Sequence, residues 1–276
     1  MSPDQWLIVT PLWLVALSIV AGLAVSALLG WWLRQWMTRR GNDTPPSEQE
    51  GYIVAAVTGL LSLLVGFTFS MAIDRFDTRR GRVLEEANAI EAAYVKTQIL
   101  PEPHRARMSS LLVAYADNKV VLGQAKPGAR QDQLLAENDR LLTDLWSATV
   151  AAFPAIKGLD FSSSFVDTMS NVVEMDAARK AGRRAHVPPR VYEILILYQF
   201  VAAAVFGYVL SGKRGREVAA ALLLLFAMSI VLIIEIDRPA SGGIKESQDA
   251  MLELRAMLHH HPPMVYDRFS QLVRAP

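Results

Sequence analysis

In this sequence, the residue types that most often bind metals or transfer protons lack the spacing that such chemistry requires. His259 to His261 are consecutive and point in different directions on a helix, so they cannot converge on one metal ion. The adjacent carboxylates Glu85 and Glu86 also diverge, and we interpret them as a solvated helix face. The chain has no cysteine, no phosphate-binding glycine loop and no zinc-protease motif. We therefore predict no catalytic residue, no metal site and no cofactor, and a protein that is not an enzyme.

Charged residues lie at the ends of the apolar stretches rather than within them. Ionisable side chains inside membrane-spanning helices usually mark proton or ion transport. Here Asp74, Glu193 and Glu235 all fall at one predicted membrane face, and no charge lies at mid-membrane. This argues against a proton-relay pump or an ion-coupled transporter. It leaves open a passive pore with an uncharged constriction, which can gate by dewetting, or a simple membrane anchor.

The most informative stretch is 51–82. Its first part, 51–73, has no charge over about the ~20 residues that a helix needs to cross a bilayer. Small or weakly polar side chains recur within it at steps of three and four residues, at Gly59, Ser62, Gly66 and Ser70. Such a stripe allows close packing against another helix, and it is equally suited to line a pore. A dense charged segment follows, beginning with Asp74, Arg75 and Asp77.

Four apolar stretches predict the elements that position this pattern. We expect transmembrane helices over 7–33, 51–73, 191–210 and 217–237. Tryptophans near both ends of the first stretch are typical of interfacial anchors. The composition is 52% hydrophobic with a net charge of +1, which suits a chain that is only partly embedded in the lipid bilayer. The charge gives no reason to expect a nucleic-acid partner.

The segment 74–190 has the pattern of a water-exposed, all-α domain. We predict four amphipathic helices, the first beginning after Arg82 and the third ending before Pro154. Leu134 and Leu141 repeat at seven residues, a spacing that pairs helices. A bend at Pro239 and a short helix are expected in the C-terminal segment 238–276. Lys and Arg are more numerous on the side of the long segment, so the positive-inside rule places 74–190, 238–276 and both termini in the cytoplasm.

Three blocks of sequence bear a family resemblance. They are LLSLLVGFTFSMAIDRFDTRRGRVLEEANAI, QILPEPHR and EIDRPASGGIKES. In combination they resemble the bestrophin-like domain family of bacterial membrane proteins. The pair Gly66-Phe67, followed nine residues on by Arg75-Phe76, also resembles bestrophins proper, which are oligomeric ion channels. The resemblance implies a bestrophin-like fold in the inner membrane of a bacterium, with four spans and a pentameric assembly.

The resemblance also implies roles for particular residues. In bestrophins the second span lines the pore, and its hydrophobic neck corresponds here to Gly59, Leu63 and Phe67. Gly59 stands where a bulky neck residue is expected, which implies a shorter or wider neck. The acidic run that binds calcium after the fourth span of animal bestrophins is missing, so calcium gating is not implied.

Our leading hypothesis is a homo-oligomeric channel for inorganic ions, with a pore lined by the second span. Ser62, Gly66 and Ser70 would lie on the pore helix, and Asp74, Arg75 and Asp77 would surround the cytosolic mouth. A ring of Arg75 side chains would slightly favour anions such as chloride, unless the two aspartates cancel it. The alternative is a non-conducting scaffold or sensor whose cytosolic domain binds a partner, for which the leucine repeat is the support.

Overall fold

The structure is a computed structural model of the 276-residue chain, and it describes residues 10–40, 48–210, 212–238 and 246–268. All regular elements in these ranges are helices, which confirms the predicted all-α class. They are α1 (Leu12–Arg39), α2 (Glu48–Thr97), α3 (His104–Gln124), α4 (Ala129–Ile156), α5 (Ser162–Arg184), α6 (Pro189–Val209), α7 (Gly212–Asp237) and α8 (Asp249–His260), followed by a short 3₁₀ helix, Pro263–Asp267. Residues 7–9 of the first predicted span and the bend at Pro239 lie outside the described ranges.

The chain forms two compact units, each built from separated segments. The first unit comprises 1–76 and 186–244, and the second comprises 77–185 and 245–276. The first unit therefore contains α1, the beginning of α2, α6 and α7. The second contains the remainder of α2 together with α3, α4, α5 and α8. The predicted assignment of these regions to the bilayer and the cytoplasm stays a prediction.

Four helical stretches in the described part of the chain are long and apolar enough to cross a membrane. These stretches are Leu12–Arg39, Gln49–Thr97, Ser162–Val209 and Gly212–Asp237. The third stretch includes both α5 and α6, and the part of it that is apolar enough to cross a membrane is α6. The four apolar helices expected from the sequence are thus present.

The first unit is held together by a close backbone contact between α1 and α6. A Cβ atom added to Gly30 would lie 1.9 Å from the carbonyl oxygen of Ala204. The reciprocal contact is equally tight, because a Cβ on Gly207 would lie 1.9 Å from the carbonyl oxygen of Ala27. Small residues permit this approach, which is the usual way that membrane helices gain dispersion contacts.

Helices α1 and α6 run parallel to each other. Gly22 lies beside Phe200, and further along both helices Arg34 reaches the end of α6. Its Nη1 donates to the carbonyl oxygens of Tyr208 at 2.8 Å and Val209 at 3.0 Å, which satisfies acceptors that the helix end leaves free. Helix α1 continues to Arg39, beyond the expected end at residue 33, and these bonds link that extension to α6. Parallel direction is what the first and third spans of a four-span protein require.

Helix α2 is one continuous helix of 50 residues. The sequence predicted a membrane span followed by a separate amphipathic helix after Arg82, so the absence of a break is a correction. The residues 74–82 are strongly charged, yet they include no proline, and a charged segment can end an apolar run without ending a helix.

The second unit buries its own apolar core. Its largest fully buried side chains include Tyr94, Tyr115, Phe165, Ile90, Met108, Leu112 and Ile156. Leu134 and Leu141 are only 7% and 6% exposed, so the seven-residue repeat packs inside the unit rather than offering a face to a partner. Pro154 lies within the last turn of α4 instead of ending it, a second correction. The predicted turn after Lys126 is present, with Gly128 at a φ of 141°.

Candidate pore-lining face of helix α2

The predicted pore residues lie together on one exposed face of α2. This face contains Gly59, Ser62, Leu63, Gly66, Phe67 and Ser70. Phe67 is 65% exposed and Leu63 is 54% exposed, although both are large and apolar. The opposite face is buried in the first unit through Leu61, Thr68 and Ala72. The helical period therefore brings the small-residue stripe and the residues implied by resemblance onto the same surface.

The two glycines of the small-residue stripe of α2 are not covered by another helix in the described part of the chain. A Cβ atom added at Gly59 or Gly66 would meet nothing within 4 Å. The close helix packing that such a stripe also predicts occurs elsewhere, at Gly30 and Gly207. Sequence spacing alone did not indicate these two glycines, because their contact joins segments that are distant along the chain.

The charged residues after the span differ in orientation. Asp74 and Asp77 are exposed, whereas Arg75 is half-buried and its Nε atom has no appreciable exposed surface. One turn further, Arg79 is 3% exposed and its Nε pairs with Glu246 at 2.9 Å. The carboxylates therefore face outward, while these two arginines turn toward the rest of the chain.

The first unit contains a buried amide side chain that neither the charges nor the small-residue stripe indicated. Gln199 on α6 is 1% exposed, and its Nε2 donates to the carbonyl oxygen of Phe226 on α7 at 3.2 Å. The sequence feature that could have indicated Gln199 is a single amide side chain within an apolar run. Hydrogen bonds of this kind join helices where no water is present.

The family model of the bestrophin-like domain matches residues 20–251. The chain belongs to the bestrophin-like family. The resemblance carried by the three sequence blocks is thereby confirmed, and the chain is a member of a family of membrane proteins. No curated protein matches the sequence.

Crystal structures of a bacterial bestrophin homologue from Klebsiella pneumoniae share the fold. One variant has 18% identity and a TM-score of 0.66, with 88% of this chain and 98% of the other covered. A second variant has 16% identity and a TM-score of 0.65, covering 91% and 98% of the two chains. A further crystal structure of that homologue has 19% identity and a TM-score of 0.62, covering 88% and 100%. At this identity the likeness shows the fold alone.

In this bestrophin-like protein, Asp237 and Arg238 join the ends of three helices of the first unit. The backbone N–H of Val187, just before α6, donates to the Asp237 carboxylate at 3.0 and 3.2 Å. Arg238 Nη1 donates to the carbonyl oxygen of Thr10, just before α1, at 2.9 Å. These hydrogen bonds therefore link the C-terminal end of α7 to the N-terminal ends of α6 and α1. The sequence alone indicated no such role for Asp237 and Arg238.

The bestrophin-like chain also contains a buried ionic cluster in its second unit. Glu86 is 0% exposed, which corrects its interpretation as part of a solvated face, whereas Glu85 is exposed and pairs with Arg82. Lys119 Nζ lies 2.7 Å from Glu86 Oε1 and also pairs with Asp176. Arg179 pairs with the other oxygen of Glu86. The cluster joins α2, α3 and α5, and its opposite charges compensate one another.

Two pKa values in this cluster are displaced. Burial by itself raises the pKa of Asp176, but the charge of Lys119 and hydrogen bonds from Lys119, Lys180 and Asn138 outweigh it, so the pKa lies below its usual range. Burial raises the pKa of the Tyr115 hydroxyl well above its usual value, and the charges of Glu86 and Asp176 add to this effect. The Asp176 carboxylate is therefore held ionised, and the ion pairs of the cluster link the three helices of the second unit.

Proposed function

We propose that this bestrophin-like protein is a homo-oligomeric ion channel, which conducts ions passively through a pore lined by α2. The observation that carries the proposal is the exposed face of α2, where Leu63 and Phe67 are 54% and 65% exposed and a Cβ on Gly59 would meet nothing within 4 Å in the described part of the chain. One copy contributes one such helix and cannot enclose a pore. The resemblance to bestrophins supports a pentamer in the inner membrane of a bacterium, with both termini and 74–190 in the cytoplasm.

Leu63 and Phe67 are proposed to form the constriction of the pore. They stand four residues apart, about one turn, on the exposed face, and Gly59 widens the same face one turn earlier. An apolar ring of this kind excludes ions by dewetting when it is narrow. Ser62 and Gly66 would line the wall beside the constriction, and Ser70 would line it about one turn further along α2.

The orientation of the mouth residues supports a revision of the charge preference. The slight preference for anions such as chloride rested on a ring of Arg75 side chains. Because Arg75 is half-buried while Asp74 and Asp77 are exposed, the exposed charges among these three mouth residues would be carboxylates. Rings of carboxylates favour cations, and we therefore propose a preference for inorganic cations.

The test is ion flux through purified protein reconstituted in liposomes. Wild-type protein should pass ions, and Leu63→Ala combined with Phe67→Ala should raise the flux several-fold, since smaller side chains widen an apolar constriction. Leu28→Ala is the matched control, because Leu28 is 62% exposed on α1 and lies outside the proposed pore. Absence of flux in a well-folded oligomer would refute the channel.

A scaffold or sensor without conduction is the alternative. The leucine repeat no longer supports it, since Leu134 and Leu141 are buried in the second unit. Nor do the histidines point to an enzyme or metal site: His259 Nε2 lies 3.1 Å from Asp117, and the described residues contain no group of three His, Asp or Glu side chains that could hold a metal ion. Ion flux decides between the channel and the scaffold.

A further inference from the structure

One end of the first unit carries a group of exposed cationic side chains. The C-terminal end of α1 and the N-terminal end of α7 supply them, and we call them the basic edge: Arg39, Arg40, Lys213, Arg214 and Arg216. The ion pair at the end of α1 joins Arg34 to Glu50 at 3.6 Å, and the five cations have no ion-pair partner in the described part of the chain. Glu217 is the exposed acid next to them in sequence, so positive charge is in excess at this edge.

The two helix ends that form the basic edge are held beside the same end of α6. Arg34 Nη1 donates to the carbonyl oxygen of Tyr208 at 2.8 Å, and the Tyr208 hydroxyl lies 3.7 Å from Met37 Sδ. A Cβ on Gly215, in the first turn of α7, would lie 2.8 Å from the carbonyl carbon of Leu210, just after α6. The cations of α1 and α7 therefore lie at one end of the unit although they are distant in sequence.

Tryptophans indicate that the basic edge lies at the depth of lipid headgroups. Trp32 and Trp36 are 58% and 40% exposed in the last turns of α1, and such residues are typical of the membrane–water interface. Arg40 Cζ lies 3.6 Å from the centroid of the Trp36 ring, a cation–π contact. Leu28 and Leu29, which precede them on α1, are 62% and 59% exposed and offer an apolar surface to acyl chains.

The cations at the opposite ends of α6 and α7 are satisfied within the chain. Arg190 pairs with Glu193 at 3.4 Å, and Arg238 donates to the carbonyl oxygen of Thr10 at 2.9 Å. Unpaired positive charge is therefore a property of the basic edge rather than of helix ends in this unit generally. Cations in excess beside interfacial tryptophans have the chemistry that attracts anionic phospholipids.

We propose that the basic edge binds the phosphate headgroup of an anionic phospholipid, whose acyl chains lie against the tryptophans and leucines of α1. Arg39 and Arg40 would approach the headgroup from α1, and Lys213 and Arg214 from α7. Arginine suits this role because its guanidinium forms paired hydrogen bonds with phosphate oxygens. The bound lipid would link the end of α1 to the beginning of α7. This lipid site depends neither on conduction through α2 nor on which membrane face is cytoplasmic.

The experiment measures the binding of fluorescent phosphatidylglycerol to the full-length protein in uncharged detergent micelles. Phosphatidylglycerol should bind saturably and at least about tenfold more tightly than phosphatidylcholine with the same acyl chains, because each nearby cation strengthens the binding of an anionic lipid about fivefold. Added salt should weaken the binding of phosphatidylglycerol, since exposed charges are screened.

Two double variants test the two helices separately. Arg39→Gln with Arg40→Gln should weaken the binding of phosphatidylglycerol about tenfold, and Lys213→Gln with Arg214→Gln should do the same. All four side chains are exposed, so neither double variant should impair folding. The matched control is Arg107→Gln with Arg130→Gln, which removes two exposed cations from α3 and α4 and should leave the affinity unchanged.

Equal affinity for phosphatidylglycerol and phosphatidylcholine, or unchanged binding in either double variant of the basic edge, would overturn the proposal. An equal loss of affinity in the control variant would also overturn it, because net charge rather than position would then govern binding. Displacement of the lipid by millimolar inorganic phosphate would mean that the edge takes a free anion instead of a headgroup. Ion flux in liposomes is a separate measurement, and its absence would refute the channel without touching the lipid site.

Discussion

Two glycines on facing helices set the distance between α1 and α6. Gly207→Ala places a methyl group 1.9 Å from the Ala27 carbonyl oxygen, so the two backbones must separate. We expect a loss of about 1–3 kcal/mol of stability, the usual cost of forcing extra volume into a packed contact. Thermal unfolding in detergent measures it.

The same substitution on α2 is a matched control. Gly66→Ala adds an identical methyl group where nothing beyond the helix's own backbone lies within 4 Å, and it should leave the unfolding temperature unchanged or slightly higher, because alanine is about 1 kcal/mol more favourable than glycine in a helix. Its effect should appear in ion flux instead. If Gly66→Ala destabilises the chain as strongly as Gly207→Ala, the stripe packs against a helix after all.

The buried carboxylate Asp176 makes the second unit sensitive to acid. Its pKa in the folded chain lies below the ordinary 3.8, so its contribution to stability is present above pH 3.8 and is lost as the pH falls through the folded value. Asp176→Asn should cost about 1–3 kcal/mol at pH 7 and should flatten the decline of unfolding temperature below about pH 4. Unfolding scans between pH 7 and pH 2.5 measure both effects.

Asp160→Asn supplies the comparison for Asp176, because Asp160 is an exposed acid of the same unit. Asp160→Asn should change neither the unfolding temperature at neutral pH nor the slope with which the unfolding temperature falls in acid. If the unfolding temperature falls equally steeply with acid in Asp176→Asn and in the wild type, other carboxylates govern acid unfolding.

At the scale of elements, the sequence predicted most of what depends on local pattern. The four apolar helices and the turn at Gly128 follow from hydropathy and from glycine chemistry. The continuity of α2 through 74–82 was not predicted, because charge density resembles a boundary although it does not break a helix. The burial of Glu86 was not predicted either, since its partners Lys119 and Arg179 are distant in sequence.

The candidate site was predictable in outline for the same reason. Helical periodicity is a local property, so residue spacing alone places the stripe from Gly59 to Ser70 on one face of the helix. Its exposure depends on which other helices cover α2, and that is a long-range property. The inward orientation of Arg75 is also a long-range property, and it alters the proposed ion preference.

The outward carboxylates of α2 give a prediction about selectivity. Asp74→Asn with Asp77→Asn removes two negative charges per subunit, so the ratio of cation to anion permeability should fall several-fold. Reversal potentials across a salt gradient in reconstituted bilayers measure this ratio. Asp132→Asn, an exposed acid at the start of α4, should have no effect. A pore that already prefers chloride in the wild type would contradict the cation preference.

At the scale of the molecule, the two units differ in how they are held together. The first unit combines an apolar core with the close backbone contact between α1 and α6 and with hydrogen bonds at helix ends, such as those made by Asp237 and Arg238. The second unit has an apolar core crossed by an ionic cluster that joins three helices.

The contact between α1 and α6 also has a consequence for biosynthesis. Ala27 and Gly207 are separated by roughly 180 residues, which a ribosome adds in about 10–40 s at ~5–20 residues per second. Throughout that interval, α1 lacks the helix against which its backbone packs. Until translation reaches Gly207, the surface of the nascent chain around Gly30 is not covered by α6.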